Sequence, residues 1–262
     1  MNNSQTKKQK RFVKKGDIVS LGQHVLGCGD CRNKQFVTKV LGDKKVSLIC
    51  TDPPYGVALV EGARGFKTPS KNKVIKADHL QSDEEYKAFT QEWLDTVKPH
   101  LTPKNAFYIF NSDKMIWPLR DAILAEAFKF SQLLIWLKTS ATMARLDYAP
   151  QHELVAYGWY GTHQFHKPKD KSVLICPKPR KSPHHPSTKP VNLIRRLILN
   201  STSFNEIVYD GFLGSGTCLL ACEQTGRVCV GTEIDEEYCQ TVIDRWEKMT
   251  GCTAEFKVRK SS

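Results

Sequence analysis

The chain has no apolar run long enough to span a membrane, so a helical membrane protein is not expected. Its opening stretch, MNNSQTKKQKRFVKKG, lacks the apolar centre of a secretory signal, and export is not expected either. Negative charge is scarce relative to positive. Lys and Arg number 39 against 27 Asp and Glu, a net charge of +12. That imbalance points to an anionic partner, nucleic acid ahead of a membrane surface, although basic charge also serves solubility alone. There is no regular cysteine framework. The nine cysteines are odd in number and unevenly spaced, which suits reduced thiols in a cytoplasmic protein. Cys28 and Cys31 have a metal-like spacing, but no second pair repeats it, so no metal is expected. Cys218 and Cys222 fall on one helical face and read as small buried side chains. No internal repeat is present.

What the chain does have is a core-forming composition: 262 residues, 40% hydrophobic and 25% charged, enough for one large domain. Apolar runs of strand length alternate with segments of helical period. DIVSLGQHVLGCGDC reads as two short strands and NKQFVTKVLGDK as a short helix ending at Gly42. KVSLICTD reads as a buried parallel strand. SDEEYKAFTQEWLDTVKPHL has helical spacing and opens on a capping box, Ser82 with Glu85. NAFYIFNS, SQLLIWLKT, QHELVAYGWYG, EIVYDG and RVCVGTEID are further strands, and WPLRDAILAEAF, TKPVNLIRRLILNST, CLLACEQTG and EEYCQTVIDRWEKMTG further helices. The alternation predicts an α/β fold with a mostly parallel sheet. Residues 57–80 and 161–186 are irregular and rich in Lys and Pro or Gly. The expected organisation is a basic flexible tail over 1–15, a single domain over 16–251 carrying those two inserts, and a tail over 252–262.

Two motifs carry chemistry. TDPPYG at 51–56 closes an apolar strand. Pro53 and Pro54 cannot donate to a sheet ladder, so the strand stops there. Asp52 and Tyr55 are thereby held on a stiff turn at a strand's carboxyl end, where open α/β sheets bind ligands. An ordinary strand-ending turn would use the same residue types. DGFLGSGT at 210–217 joins a strand to a helix through a glycine turn, and the next strand ends in GTEID. Glu233 stands there about twenty residues beyond the turn, a placement that suits the two hydroxyls of a ribose. Gly214-Ser215-Gly216-Thr217 has no third glycine at the dinucleotide spacing and no phosphate-loop lysine. An adenosine-containing cofactor of another kind, S-adenosylmethionine, remains.

Together these motifs resemble the amino-methyltransferases of DNA, which methylate adenine N6 or cytosine N4. The likeness extends through LGQHVLGCGD, WLK, QHELVAYG, HPSTKPVNLIRRLI and RVCVGTEIDEEYCQTVIDRW, nearly all of Gly16 to Gly251. The catalytic motif precedes the cofactor glycines, the permuted β-type order, and the front block is similar to enzymes of phages and mobile elements. Gly211 departs from the proline of many relatives. The resemblance implies a Rossmann-like methyltransferase fold with a seven-stranded, mostly parallel sheet and helices on both faces.

It also implies roles. Asp52 and the Pro53 carbonyl would accept hydrogen bonds from the two protons of the target amine, Pro54 would stiffen the turn and Tyr55 would stack on an extruded base. Asp210, Phe212, Gly214, Ser215, Gly216 and Thr217 would line the methionine side of S-adenosylmethionine. Glu233 would hold the ribose and Asp30 would lie near the adenine, with a turn cap as its other reading. Thr188 and Lys189 would lie beside the methionine carboxylate, unless Lys189 is simply a solvated helix start. DNA contact would fall to Arg64, Lys67, Lys71 and Lys73 in the first insert. In the second it would fall to Lys167, Lys169, Lys171, Lys178, Arg180 and Lys181. Asp at the head of the motif favours adenine in duplex DNA with base flipping, and a homodimer is expected. Cytosine N4 methylation, RNA as substrate and a non-catalytic nucleic-acid-binding subunit are the competing readings. A protein glutamine methyltransferase would carry Asn at the first motif position and its glycines upstream.

Overall fold

The structure, a computed structural model, describes residues 11–56, 81–141, 147–167, 170–177 and 188–257. In chain order these form β1 (Ile18–Leu21), β2 (His24–Cys28), α1 (Lys34–Leu41), β3 (Val46–Thr51), α2 (Asp83–Val97), β4 (Leu101–Asn111), α3 (Ile116–Ala125), β5 (Lys129–Leu137) and β6 (His152–Trp159). There follow β7 (Thr162–His163), β8 (Val173–Ile175), α4 (Val191–Ser201), β9 (Ile207–Asp210), α5 (Thr217–Thr225), β10 (Val228–Glu233), α6 (Glu236–Thr250) and β11 (Glu255–Phe256).

The sheet runs β11-β1-β2-β10-β9-β3-β4-β6-β5-β8, with β7 on β4. It is mostly parallel, as the sequence predicts, but it has eleven strands among the described residues instead of seven. The seven from β2 to β5 form the expected frame, in which only β6 is reversed. The surplus lies at the margins. β7 and β8 form inside the insert read as irregular, where the short apolar run Val173–Ile175 pairs with β5. β11 forms in the segment read as a tail and pairs with β1. Residues 11–15 are likewise not free: Val13 is buried, Arg11 pairs with Asp17 at 2.9 Å, and the Lys15 amide donates to Glu236.

Strand alternation divides the core in two. Tyr108 and Phe110 of β4 face one side with Leu197 of α4, Leu219 of α5 and Val242 of α6. Phe107 and Ile109 face the other with Val37 of α1, Trp93 of α2 and Leu119 of α3. Helices therefore cover both faces, the arrangement that makes the middle strands apolar on both sides. The Ser82 and Glu85 capping box forms, and α1 stops at Gly42. β9 and β3 are sheet neighbours although 155 residues separate Thr51 from Ile207 in the chain. From β9 the chain crosses through α5 to β10 on one side; from β3 it crosses through α2 to β4 on the other. The direction of winding reverses between them, so their carboxyl ends open a crevice of the kind where α/β sheets bind ligands.

Candidate active site

Both sequence motifs reach that crevice. Asp52, Tyr55, Asp210, Gly214, Ser215 and Glu233 line one cleft, joined by Asp30, Phe212, Thr188 and Lys189. Pro53 and Pro54 end β3, and the turn they stiffen leaves the Asp52 side chain 23% exposed toward the cleft. Gly214 and Gly216 both have positive φ, 50° and 84°. A Cβ on Gly216 would meet Val242 at 3.0 Å, so the turn requires glycine there. At Gly211 a Cβ would find nothing closer than 3.4 Å, which leaves room for a larger residue.

Glu233 shapes the glycine turn. Its two carboxylate oxygens accept from the Gly214 amide at 2.8 Å and the Asp235 amide at 2.8 Å. Burial pushes its carboxyl up, and those amides oppose the shift. Asp210 is more perturbed. Burial raises it to about 7 despite hydrogen bonds from the Thr51 hydroxyl at 2.6 Å and the Phe212 amide at 3.0 Å. Ser215 receives Arg245 through its hydroxyl at 3.0 Å and lies 3.4 Å from the Thr188 hydroxyl.

Phe212 and Lys189 line the cleft and have partners of their own. The Phe212 ring packs on Phe89 and edge-on to Trp93, each centroid at 5.8 Å. Phe89 also carries the Arg32 guanidinium, which forks onto Asp30 at 2.8 Å and 3.1 Å. Phe212 is thus linked to Asp30 through Phe89 and Arg32. Burial raises the Asp30 carboxyl, but the Arg32 bonds outweigh it and hold the group below its ordinary value. Lys189 does not stand free for a ligand carboxylate. It is 6% exposed, and its ammonium binds Asp52 Oδ2 and Glu153 Oε2, the latter at 3.1 Å.

Around Asp52 the side chains form a closed charge cluster. The Tyr55 hydroxyl donates to Asp52 Oδ1 at 2.7 Å and lies 3.2 Å from Glu153 Oε2. Lys138 holds the other Glu153 oxygen at 2.9 Å. Burial raises Asp52, and Lys189 only partly offsets it. Burial would raise Glu153 too, but the two lysines win and hold it at about 2. Lys189 is raised: burial would lower it, and the two carboxylates prevail. Tyr55 is pushed well up by burial and its anionic neighbours, so its hydroxyl stays a donor. The Tyr55 ring is only 9% exposed and has the Lys189 ammonium 5.6 Å from its centroid. Glu153 and Lys138 received no role from the sequence, although QHE and WLK were both among the stretches that carry the resemblance. Only the fold, which pairs β5 with β6, brings them together.

Of the residues expected to contact DNA, Lys167 and Lys171 are exposed. Lys167 shares a shallow depression with Asn192 and Arg195 of α4. Arg64, Lys67, Lys71, Lys73, Lys169, Lys178, Arg180 and Lys181 lie outside the described residues. Cys218, Cys222 and Cys229 are buried with their sulfur atoms within 4.8 Å of one another, and burial pushes the Cys222 thiol well up. No helix among the described residues is long and apolar enough to cross a membrane.

A family model described as DNA methylase matches residues 46–244. The chain is 26% identical over 242 residues to the type II methyltransferase M.HpaI of Haemophilus parainfluenzae, covering 82% of this chain and 72% of that one. It is 24% identical over 237 residues to the type II methyltransferase M2.DpnII of Streptococcus pneumoniae, covering 81% and 86%. Among solved structures, the complex of M1.HpyAVI with SAM aligns with a TM-score of 0.62 at 25% identity, covering 84% of this chain and 98% of that one. The cytosine-N4-specific PvuII DNA methyltransferase aligns with a TM-score of 0.69 at 16% identity, covering 92% and 94%.

Proposed function

Because the chain belongs to the N6/N4 DNA methylase family, whose cofactor is S-adenosylmethionine, we propose that it methylates the exocyclic N6 of adenine in DNA. The observation that carries this reading is the meeting of Asp52 with the glycine turn and Glu233 in one cleft. The cleft suits the cofactor. Glu233 oxygens that each accept one amide retain capacity for the ribose hydroxyls. Phe212, backed by Phe89, offers an apolar wall for the purine beside Asp30, and the glycine turn lets the backbone approach closely. S-adenosylmethionine supplies an electrophilic methyl group.

The chain's own residues prepare the nucleophile. An exocyclic amine is poorly nucleophilic because its lone pair is delocalised into the ring. Asp52 and the Pro53 carbonyl accept hydrogen bonds from its two N–H groups, which favours a pyramidal nitrogen with its lone pair free for the methyl group. The diproline turn holds both acceptors in place before the base arrives, so little ordering remains to be done at the moment of reaction. The base of a duplex reaches this cleft only by extrusion. Lys167 and Lys171, with the basic residues of both inserts, position phosphates, while base readout falls to other side chains.

Incubation with labelled S-adenosylmethionine and unmethylated DNA, followed by nucleoside mass spectrometry, tests the assignment. N6-methyladenine is expected. N4-methylcytosine would keep the acceptor geometry and overturn the choice of base, and label in RNA alone would overturn DNA as substrate.

A further inference from the structure

Cys218 and Cys222 stand one turn apart on α5, and the fold adds Cys229 from β10, the strand against which α5 packs. Their three sulfur atoms lie within 4.8 Å of one another, and all three residues are buried free thiols. They share the apolar core layer that holds Leu197, Val208 and Leu219. Burial pushes the Cys222 thiol well above its ordinary value, and the Asp210 carboxyl opposes charge at Cys229. The cluster therefore stands as neutral thiols. It also has a way in, because Cys218 lines the floor of the cleft and keeps 4% of its surface exposed there. Soft sulfur donors select soft, thiophilic centres. Charge then discriminates among these. Three thiolates on Cu(I) would carry two negative charges, and on Zn(II) one. A buried charge without a partner is costly, and the nearby Asp210 adds to the cost. Structural zinc also takes four ligands, where this triad offers three. Trivalent arsenic forms three bonds to sulfur and leaves a neutral product.

We propose that Cys218, Cys222 and Cys229 form a site for trivalent arsenic, entered from the cleft with arsenous acid as the ligand. The exchange is a condensation. Three S–H and three As–O bonds break, three As–S bonds form, and the protons and hydroxyls leave together as three waters. Arsenic stays trivalent, so no oxidant or reductant takes part. The geometry suits a pyramidal centre, whose three sulfurs all lie on one side of it. Residues four apart face the same way from a helix, and Cys229 meets them from the facing strand. Bonding all three sulfurs to one atom draws α5 toward β10, directly below the glycine turn that opens α5. The sequence alone reads Cys218 and Cys222 as small buried side chains; Cys229 joins them only through the packing of α5 on β10.

Sodium arsenite added to the reduced full chain, freed of small thiols, tests this. Native mass spectrometry is expected to show one arsenic bound per chain in place of three hydrogens. X-ray absorption at the arsenic edge is expected to show a first shell of three sulfurs and no oxygen. Cys222→Ala and Cys229→Ala, each checked for folding by circular dichroism, should lose the three-sulfur product at arsenite concentrations that saturate the wild type. Cys252→Ala removes an exposed thiol outside the triad and should keep it. A wild type that takes up no arsenic overturns the inference. So does arsenic held by two sulfurs and one oxygen, or a three-sulfur product undiminished in folded Cys222→Ala. Zinc taken by the triad in preference to arsenite would overturn the charge argument and the inference with it. The wild-type absorption spectrum decides the matter even where an alanine variant fails to fold. None of these outcomes depends on the methylation proposed above, so the two readings stand or fall separately.

Discussion

Glu233→Gln probes the cofactor half of the cleft. The side chain keeps its length and loses one acceptor oxygen, which becomes an NH2 group. In the structure both oxygens are in use, one by the Gly214 amide and one by the Asp235 amide, each at 2.8 Å. Glutamine can serve one of them; the other N–H then faces a donor. An unmet buried donor costs ~1–3 kcal/mol, and hydrogen bonds to a charged group contribute ~1.5–3 kcal/mol. Losing one charged ribose contact therefore removes about 10- to 100-fold in cofactor affinity, at ~1.4 kcal/mol per factor of ten. The unmet amide lowers the melting temperature by several degrees, at ~2–4 °C per kcal/mol for a chain of this size. Calorimetric titration with S-adenosylmethionine and a thermal melt measure the two effects separately. Affinity equal to wild type in a folded Glu233→Gln protein would refute the assignment of Glu233 to the ribose.

Asp210, raised to about 7, predicts a pH effect on stability. Between about pH 4 and 7 the folded protein holds a proton that the unfolded chain has released, so this contribution is present at low pH and lost as pH rises through about 7. Asp210→Asn, whose amide oxygen can still accept from Thr51 and Phe212, should flatten that part of the dependence; denaturant melts at pH 5 and 7.5 check it. Gly216→Ala places a Cβ at φ 84° and 3.0 Å from Val242, and should lower stability by ~1–3 kcal/mol and weaken cofactor binding, read by melts and calorimetry. Lys167→Ala and Lys171→Ala should each reduce the salt dependence of DNA binding by about one unit of slope if that lysine contacts a phosphate, measured by fluorescence anisotropy across salt concentrations.

Most of the frame was legible because its signals are local. Prolines that stop β3, the capping box at Ser82, and the glycines at 214, 216, 226 and 251 each act within a few residues. The cleft residues were legible for a similar reason: each ends a strand or opens a turn. Other features were not. β11 and β8 are two and three residues long and exist only because β1 and β5 present open edges. Lys189 reads as a cation for the methionine carboxylate or a solvated helix start, and only the fold sets it between carboxylates from β6 and the β3 turn. Glu153 lies on β6 and Lys138 directly follows β5, and the antiparallel register that brings them together cannot be read from either segment alone. Phe212 follows Asp210 by two residues, yet its ring turns away to Phe89 and Trp93, contacts that only α2 supplies.

The central claim is that the Asp52 carboxylate accepts from the target amine. Single-turnover methyl transfer by Asp52→Asn, with cofactor affinity measured on the same preparation, tests it most directly. The account predicts unchanged S-adenosylmethionine binding and a rate at least ~100-fold below wild type, in line with the loss of one prepositioned polar group at a reacting centre. A folded Asp52→Asn enzyme that methylates DNA within a few-fold of the wild-type rate would contradict it.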